Sequence, residues 1–297
     1  MKKILYHAVV IVFFCCVDNA KADRKEPLII NHKNIDITKI PQQYIKKAQR
    51  KFHISYGHTS HGNQIISGMK ALAKKDKKFN YTSNPKSDKA FLWDRIPSGD
   101  LGNPNQEQWA EKTRKLLEGK GKSRNIIMWS WCGQLSRKAT KVEKYLALMN
   151  SLEQQFPKVT FIYMTGHLDG NSSKSSVLLK NNEKIRKFCK NHNKVLFDFA
   201  DIESFDPDGK VDYSKLSARD NCDYKKDGKR KNWAKEWIKN NPKHNFSLPE
   251  KAAHTHPLNA AMKGQAFWWM MARLAGWQGL EKNKKKKSNN KTFKIKL

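Results

Sequence analysis

Apolar positions along the chain fall into two kinds of run, and the two alternate. Short, nearly continuous runs rich in β-branched and aromatic residues end in glycine or polar turns: "FHISY" at 52–56, "AFLW" within 89–104, "NIIMWSWCGQ" at 125–134, "VTFIYMTGHLDG" at 159–170 and "KVLFDFADI" at 194–202. That texture predicts strands, several of them buried on both faces. Between them lie longer stretches with apolar residues three or four apart. Ile65, Ile66, Met69 and Leu72 mark one helix, and "NQEQWAEKTRKLLEG", "KVEKYLALMNSLEQQFP" and "LLKNNEKIRKFCKNHN" predict three more. The last is "AMKGQAFWWMMARLAGW" at 261–277, apolar enough to be a core helix. Strand alternating with helix predicts an α/β fold, a central parallel sheet covered by helices on both faces.

Two segments carry weaker patterns. Residues 23–50 are polar and basic and predict an entry segment with a short helix. Residues 203–250 are turn-rich, and "DPDG" at 206–209 is expected to be a turn, since it lacks the spaced acids and terminal glutamate of a calcium loop.

The ends have a different character. Lys2 and Lys3, an apolar stretch from Ile4 to about Val17 and the small-residue sequence "NAKA" predict a signal peptide over 1–22, cleaved near Ala22. The apolar run is shorter than the roughly 20 residues of a spanning helix. The expected protein is exported, periplasmic or secreted, without a transmembrane helix after cleavage. Residues 23–280 form the expected α/β domain, and the lysine-rich 281–297 a basic disordered tail. Of five cysteines, Cys132, Cys189 and Cys222 remain after cleavage. In an oxidising compartment three thiols predict one disulfide, with Cys189 and Cys222 the expected pair.

The formal net charge is +32, from 59 Lys and Arg against 27 Asp and Glu. Such a field favours polyanionic partners, an acidic polysaccharide or an anionic cell envelope, over neutral ones. No nucleic-acid motif accompanies it, and a general lysine bias that raises solubility is the competing explanation.

Polar chemistry gathers where strands end: "GHTSHGN" after the first predicted strand, "SWCGQ" and "TGHLDG" after two later ones, and "AHTHPLN" before the last helix. Five of the ten histidines lie in these turns. Ligands bind at the carboxyl ends of parallel strands, so these turns define one candidate edge. Two chemistries fit. A serine nucleophile needs a base and oxyanion donors. Ser60, in a strand-to-helix turn, has His256 or His254 as candidate base. Gly62, Asn63, Gly133 and Gln134 are candidate oxyanion groups, and His58, His61, His167 and Asp169 line the pocket. Alternatively, three histidines with Asp169 would hold a transition metal, although no strict zinc spacing is present. Ser60 as a plain helix cap and Cys132 as a packed small hydrophobe are the structural alternatives.

Over roughly residues 50–278 the chain resembles the SGNH/GDSL hydrolase superfamily. "HTSHG" is similar to the nucleophile block, "GDLGNP" to the glycine block, "WSWCGQ" stands where the third block follows a buried strand, and "HPLNAAMKGQAFWWMMARLAGW" resembles the final block. The resemblance implies a flavodoxin-like three-layer sandwich and an esterase acting on acyl esters, carbohydrate O-acyl groups among them, with no cofactor. Gly57-His58-Thr59-Ser60 replaces Gly-Asp-Ser, so Thr59 competes with Ser60. Gln134 stands nearest the usual asparagine. Ala253 stands where the usual aspartate precedes the histidine if His256 is the base, so the resemblance implies a dyad, or an acid from elsewhere such as Asp169 or Asp198. The alternatives to a serine esterase are a non-catalytic envelope protein that binds anionic glycan and a histidine-rich metal-dependent enzyme.

Overall fold

The computed structural model describes residues 26–280; the signal peptide and basic tail expected from the sequence lie outside them. In chain order the elements are β1 (Leu28–Ile30), α1 (Gln42–Lys51), β2 (Ile54–Gly57), α2 (Asn63–Lys75), β3 (Leu92–Asp94), α3 (Gln108–Glu118), β4 (Ile126–Trp129) and α4 (Val142–Gln155). They continue with β5 (Thr160–Met164), α5 (Val177–Asn191), β6 (Val195–Phe197), α6 (Phe199–Ser204), β7 (Asp223–Lys226), β8 (Lys229–Asn232), α7 (Trp233–Asn240) and α8 (Pro257–Leu274).

The six strands β1–β6 form one parallel sheet in the order β1-β6-β5-β4-β2-β3. Helices cover it on both sides, giving the flavodoxin-like three-layer sandwich. β2, β4 and β5 are buried along their whole length, which is why they read as unbroken apolar runs rather than as alternation. α1 and α2 pack against α8, and α4 packs between α3 and α5. From β2 the chain passes to β3 on one side and to β4 on the other. The point where strand order reverses therefore lies between β2 and β4, the place where an open α/β sheet forms a crevice at its strand ends.

α2 and α8 cross at glycines. A Cβ on Gly68 would stand 2.0 Å from the Ala260 carbonyl oxygen, and one on Gly264 would stand 2.4 Å from the Gly68 carbonyl carbon. Only glycine lets these two backbones touch. α8 is buried nearly all round, as its tryptophans and methionines predict.

Three expectations are corrected. "PLII" in the entry segment is a strand, β1, which pairs with β6 in register Leu28 with Val195. Its three residues are too few to show a pattern in polar surroundings. The strand expected over 194–202 stops at Phe197, because the Asp198 carboxylate accepts the Asp201 amide and caps α6. Cys189 and Cys222 form no disulfide; each is a free, buried thiol. Burial raises both thiols, Cys222 to about 12, so neither is poised to react.

Candidate active site

The strand-end turns meet at the β2–β4 crevice. β2 ends at Gly57, where a Cβ would sit 2.6 Å from the Trp129 ring, so glycine permits the approach of β4. The turn then folds back on itself, and a Cβ on Gly62 would lie 2.3 Å from the His58 Cβ. This tight loop delivers His61 across the crevice to the segment that follows β4.

There His61 Nδ1 lies 3.3 Å from Cys132 Sγ, and His61 Nε2 lies 3.0 Å from Asp220 Oδ2. Thiol, imidazole and carboxylate thus form one line of hydrogen bonds. Burial opposes charge on His61, but its bonds to Asp220 and then Cys132 outweigh that and push its pKa to about 9. The Cys132 thiol is lowered, chiefly by its bond to His61 and against its partial burial. Asp220 is also lowered: burial would raise it, and the bond to His61 overcomes that. All three shifts favour an imidazolium held between a thiolate and a carboxylate.

The His61 ring is sandwiched. His167 stacks on it at 3.8 Å and 4° between planes, and His254 stacks at 4.4 Å and 13°. His167 is lowered, mainly by burial, so a neutral ring lies against the charged one. His254 holds φ +59, a left-handed conformation that is strained for a residue with a Cβ. Asp220 is fixed from two sides: its amide donates to the Leu168 carbonyl (3.1 Å), and its carbonyl accepts the Thr255 hydroxyl (2.6 Å).

Beneath the rings is a sealed ionic contact. Lys263 Nζ donates to Glu203 Oε1 at 2.5 Å with both side chains 0% exposed, and it also donates to Gln64 Oε1. It lies 3.7 Å over the Phe199 ring. Glu203 Oε2 accepts the Leu168 amide at 2.8 Å, and Gln64 Nε2 donates to the Ala253 carbonyl at 2.8 Å. The pair therefore anchors the segments carrying His167 and His254.

The residues expected from sequence are distributed unevenly over this geometry. His61, His167 and His254 converge on one another. The Ser60 hydroxyl, half-buried in the same turn, makes no hydrogen bond to His254 or His256 among the described residues. His256 caps α8, its Nδ1 accepting the Leu258 amide at 3.2 Å, and burial followed by Lys235 lowers its pKa. Asn63 begins α2, its side chain reaching Ser67 Oγ at 3.4 Å. Gln134 is committed on both sides, Oε1 accepting the Cys132 amide (3.0 Å) and Nε2 donating to Asp100 (2.9 Å). Gly133 borders open space, with nothing within 4 Å of where a Cβ would stand. Asp169 accepts the Ser136 hydroxyl at 2.8 Å and turns the chain by accepting the Asn171 amide.

His58, buried, is paired separately: Nε2 lies 2.6 Å from Asp94 Oδ1, and Nδ1 lies 2.7 Å from the Thr59 carbonyl oxygen. Thr59 in turn donates to Asp100 at 2.9 Å. Sequence reasoning missed Asp220 and underrated Cys132. Asp220 stands in a turn-rich segment 159 positions from its partner. Cys132 had one visible signal: it follows a buried strand on an edge already crowded with histidines.

One group of side chains has the makings of a cation site. Single ligand atoms of His61, Asp220 and His254 all lie within 4.8 Å of one another. The near-parallel stacking of the two rings directs their lone pairs side by side rather than toward a common point, and His61 Nε2 is engaged by Asp220. Among the described residues no helix is long and apolar enough to cross a membrane. Compared with models of protein families, with curated proteins and with solved structures, the chain matches none.

Proposed function

We propose that the chain is a hydrolase of acyl esters in which Cys132 is the nucleophile, His61 the proton carrier and Asp220 the group that orients it. The observation that carries this reading is the continuous Cys132–His61–Asp220 hydrogen-bonded line across the β2–β4 crevice. The Cys132 thiolate attacks the ester carbonyl carbon. As the carbon–oxygen bond breaks, His61 gives its proton to the leaving alcohol, and a thioester to Cys132 remains. Water then loses a proton to His61 and attacks the thioester; the carbon–sulfur bond breaks and the imidazolium–thiolate pair is restored. Asp220 keeps the ring in register and stabilises its charge throughout. The open side of Gly133 gives a substrate room beside the thiol, with the Gly133 amide as a candidate oxyanion donor.

The acyl-ester substrate follows the SGNH/GDSL resemblance of the sequence, with the nucleophile moved from the β2 turn to the β4 turn. The test is turnover of a short p-nitrophenyl ester by wild type, Cys132→Ala and Ser60→Ala. Cys132→Ala should lose at least about a thousandfold in kcat, as removal of a nucleophile does, and acid-quenched wild type should carry an acyl group on Cys132. Ser60→Ala should stay within about threefold, the expectation for a serine outside the chemistry. The opposite ranking returns the nucleophile to Ser60. A wild type that turns over no ester leaves the non-catalytic glycan binder.

A second reading rests on the His61, Asp220 and His254 cluster, which would ligate a transition metal if the His254 ring turned out of the stack. Stoichiometric metal in the purified protein, lost in His254→Ala, would favour it over the thiol mechanism.

A further inference from the structure

A cleft of about 350 Å³ lies on the loop that follows the candidate nucleophile, lined by Asn105, Gln106, Gln134, Arg137, Lys141 and Lys144 among others. Its wall is built rather than incidental. Gln106 Oε1 accepts the Lys141 amide at 2.8 Å and its Nε2 donates to the Ala139 carbonyl at 3.0 Å, which ties the loop after Cys132 to the start of α3. The Thr140 hydroxyl donates to the Gln134 carbonyl at 2.6 Å and closes the same loop from within. Gln134, buried where the cleft meets the site, holds the Cys132 amide. A ligand in the cleft is therefore one side chain away from the thiol-bearing residue.

The electrostatics of the lining are one-sided. No carboxylate lines the cleft. Lys144 is neutralised by an ion pair with Glu107, whereas Arg137 and Lys141 form none among the described residues. Asn105 spends its side-chain oxygen on capping α3, accepting the Glu107 and Gln108 amides, which leaves its amide nitrogen to donate. The cleft thus offers two cations that form no ion pair, Lys141 lying in the field of Glu143, and neutral amide groups in a volume at the small-ligand end of the usual range. Such a lining suits a ring with one negative group and several hydroxyls, and it lacks the aromatic surfaces on which nucleic-acid bases stack.

We infer that this cleft is the substrate subsite for an acidic sugar, with Arg137 and Lys141 binding its carboxylate and the Asn105 amide nitrogen a hydroxyl. It rests on the reading of Cys132 as nucleophile only for its consequence: the ester cleaved is one carried on an anionic polysaccharide. The general cationic field of the chain becomes a defined recognition site.

The experiment is calorimetric binding of an oligogalacturonate, a neutral malto-oligosaccharide and a single-stranded oligonucleotide to four proteins. These are wild type, Arg137→Gln/Lys141→Gln, Lys120→Gln/Lys122→Gln and Cys132→Ala. Lys120 and Lys122 lie between α3 and β4, at the opposite end of the sheet, and removing them changes net charge by the same amount. Oligogalacturonate should bind wild type and weaken at least about tenfold in the Arg137/Lys141 variant, the scale of losing charge-assisted hydrogen bonds. The Lys120/Lys122 and Cys132 variants should bind as wild type does. Equal loss in both double variants, equal binding of the neutral chain, or tighter binding of the oligonucleotide would overturn the subsite. Thermal midpoints within a few degrees of wild type separate lost recognition from lost folding. Binding that survives while Cys132→Ala still hydrolyses ester would sink the thiol mechanism and leave the subsite standing.

Discussion

The turn after β2 holds two histidines three residues apart, and each is hydrogen-bonded to an aspartate. They differ at the other ring nitrogen. His58 ends on the carbonyl of its own neighbour, so both nitrogens are spent on fixed acceptors and Asp94 locks a buried ring. His61 ends on the Cys132 sulfur, so its second nitrogen faces a group that can exchange a proton. One aspartate–histidine pair closes the loop onto β3; the other crosses to β4 and opens onto space at Gly133. Pairing with a carboxylate therefore does not by itself distinguish a catalytic histidine from a structural one. What the far nitrogen meets does.

The sharpest way to break this comparison is to remove the two rings in turn. His61→Gln should lower kcat/KM on an activated ester by about 10²- to 10⁴-fold, the usual range for a positioned acid–base group. His58→Gln should retain most activity and instead lose stability, by about 1–3 kcal/mol in denaturant unfolding, because a buried ring hydrogen-bonded at both nitrogens is lost and the half-exposed Asp94 loses its donor. If both variants lose activity equally while remaining folded, the division of labour is wrong.

A smaller effect follows from Asp220→Asn. It keeps a hydrogen-bonding side chain beside Nε2 but removes the charge that holds His61 protonated. The upper limb of the pH–rate profile should move to lower pH, with a kcat loss smaller than that of His61→Gln. Asp94→Asn should leave that limb in place.

The pH dependence of wild type is set by the same pair. The imidazolium–thiolate form exists between the lowered pKa of Cys132 and the value of about 9 for His61. Activity should fall on the acid side as sulfur takes a proton, and above about 9 as His61 loses the one the leaving alcohol needs. For stability, a folded-state value raised above 6.5 means a contribution fully present below 6.5 and lost as pH rises through about 9. The basic-side loss of unfolding free energy should be shallower in His61→Gln. An identical profile in that variant would remove His61 as its source.

Most of the sheet was legible because β2, β4 and β5 are buried on both faces and therefore unmistakably apolar. β1 was not, since three residues at an edge carry too little pattern, and α6 was hidden by Asp198, whose capping role is a matter of local geometry. The site's edge was legible from its histidines. Its connectivity was not: His61 and Cys132 are joined only when β2 and β4 become neighbours across the strand-order reversal. Asp220 arrives from a segment whose composition suggests nothing but turns. The disulfide expected between Cys189 and Cys222 failed for a related reason, because Cys189 faces the core from α5 while Cys222 lies 3.7 Å from Thr255 at the entry to α8.

The contact of α2 with α8 at Gly68 and Gly264 has a mechanical meaning. α2 begins two residues after His61, and α8 begins three residues after His254. Two helices whose backbones touch cannot slide or splay without breaking that contact, so the walls bearing these stacked rings move as one body. The distance between the walls is set in the interior, away from the chemistry. Even one added methyl at either glycine would act as a wedge, and its effect would be felt at the far ends of the helices as a change in the spacing of the imidazoles.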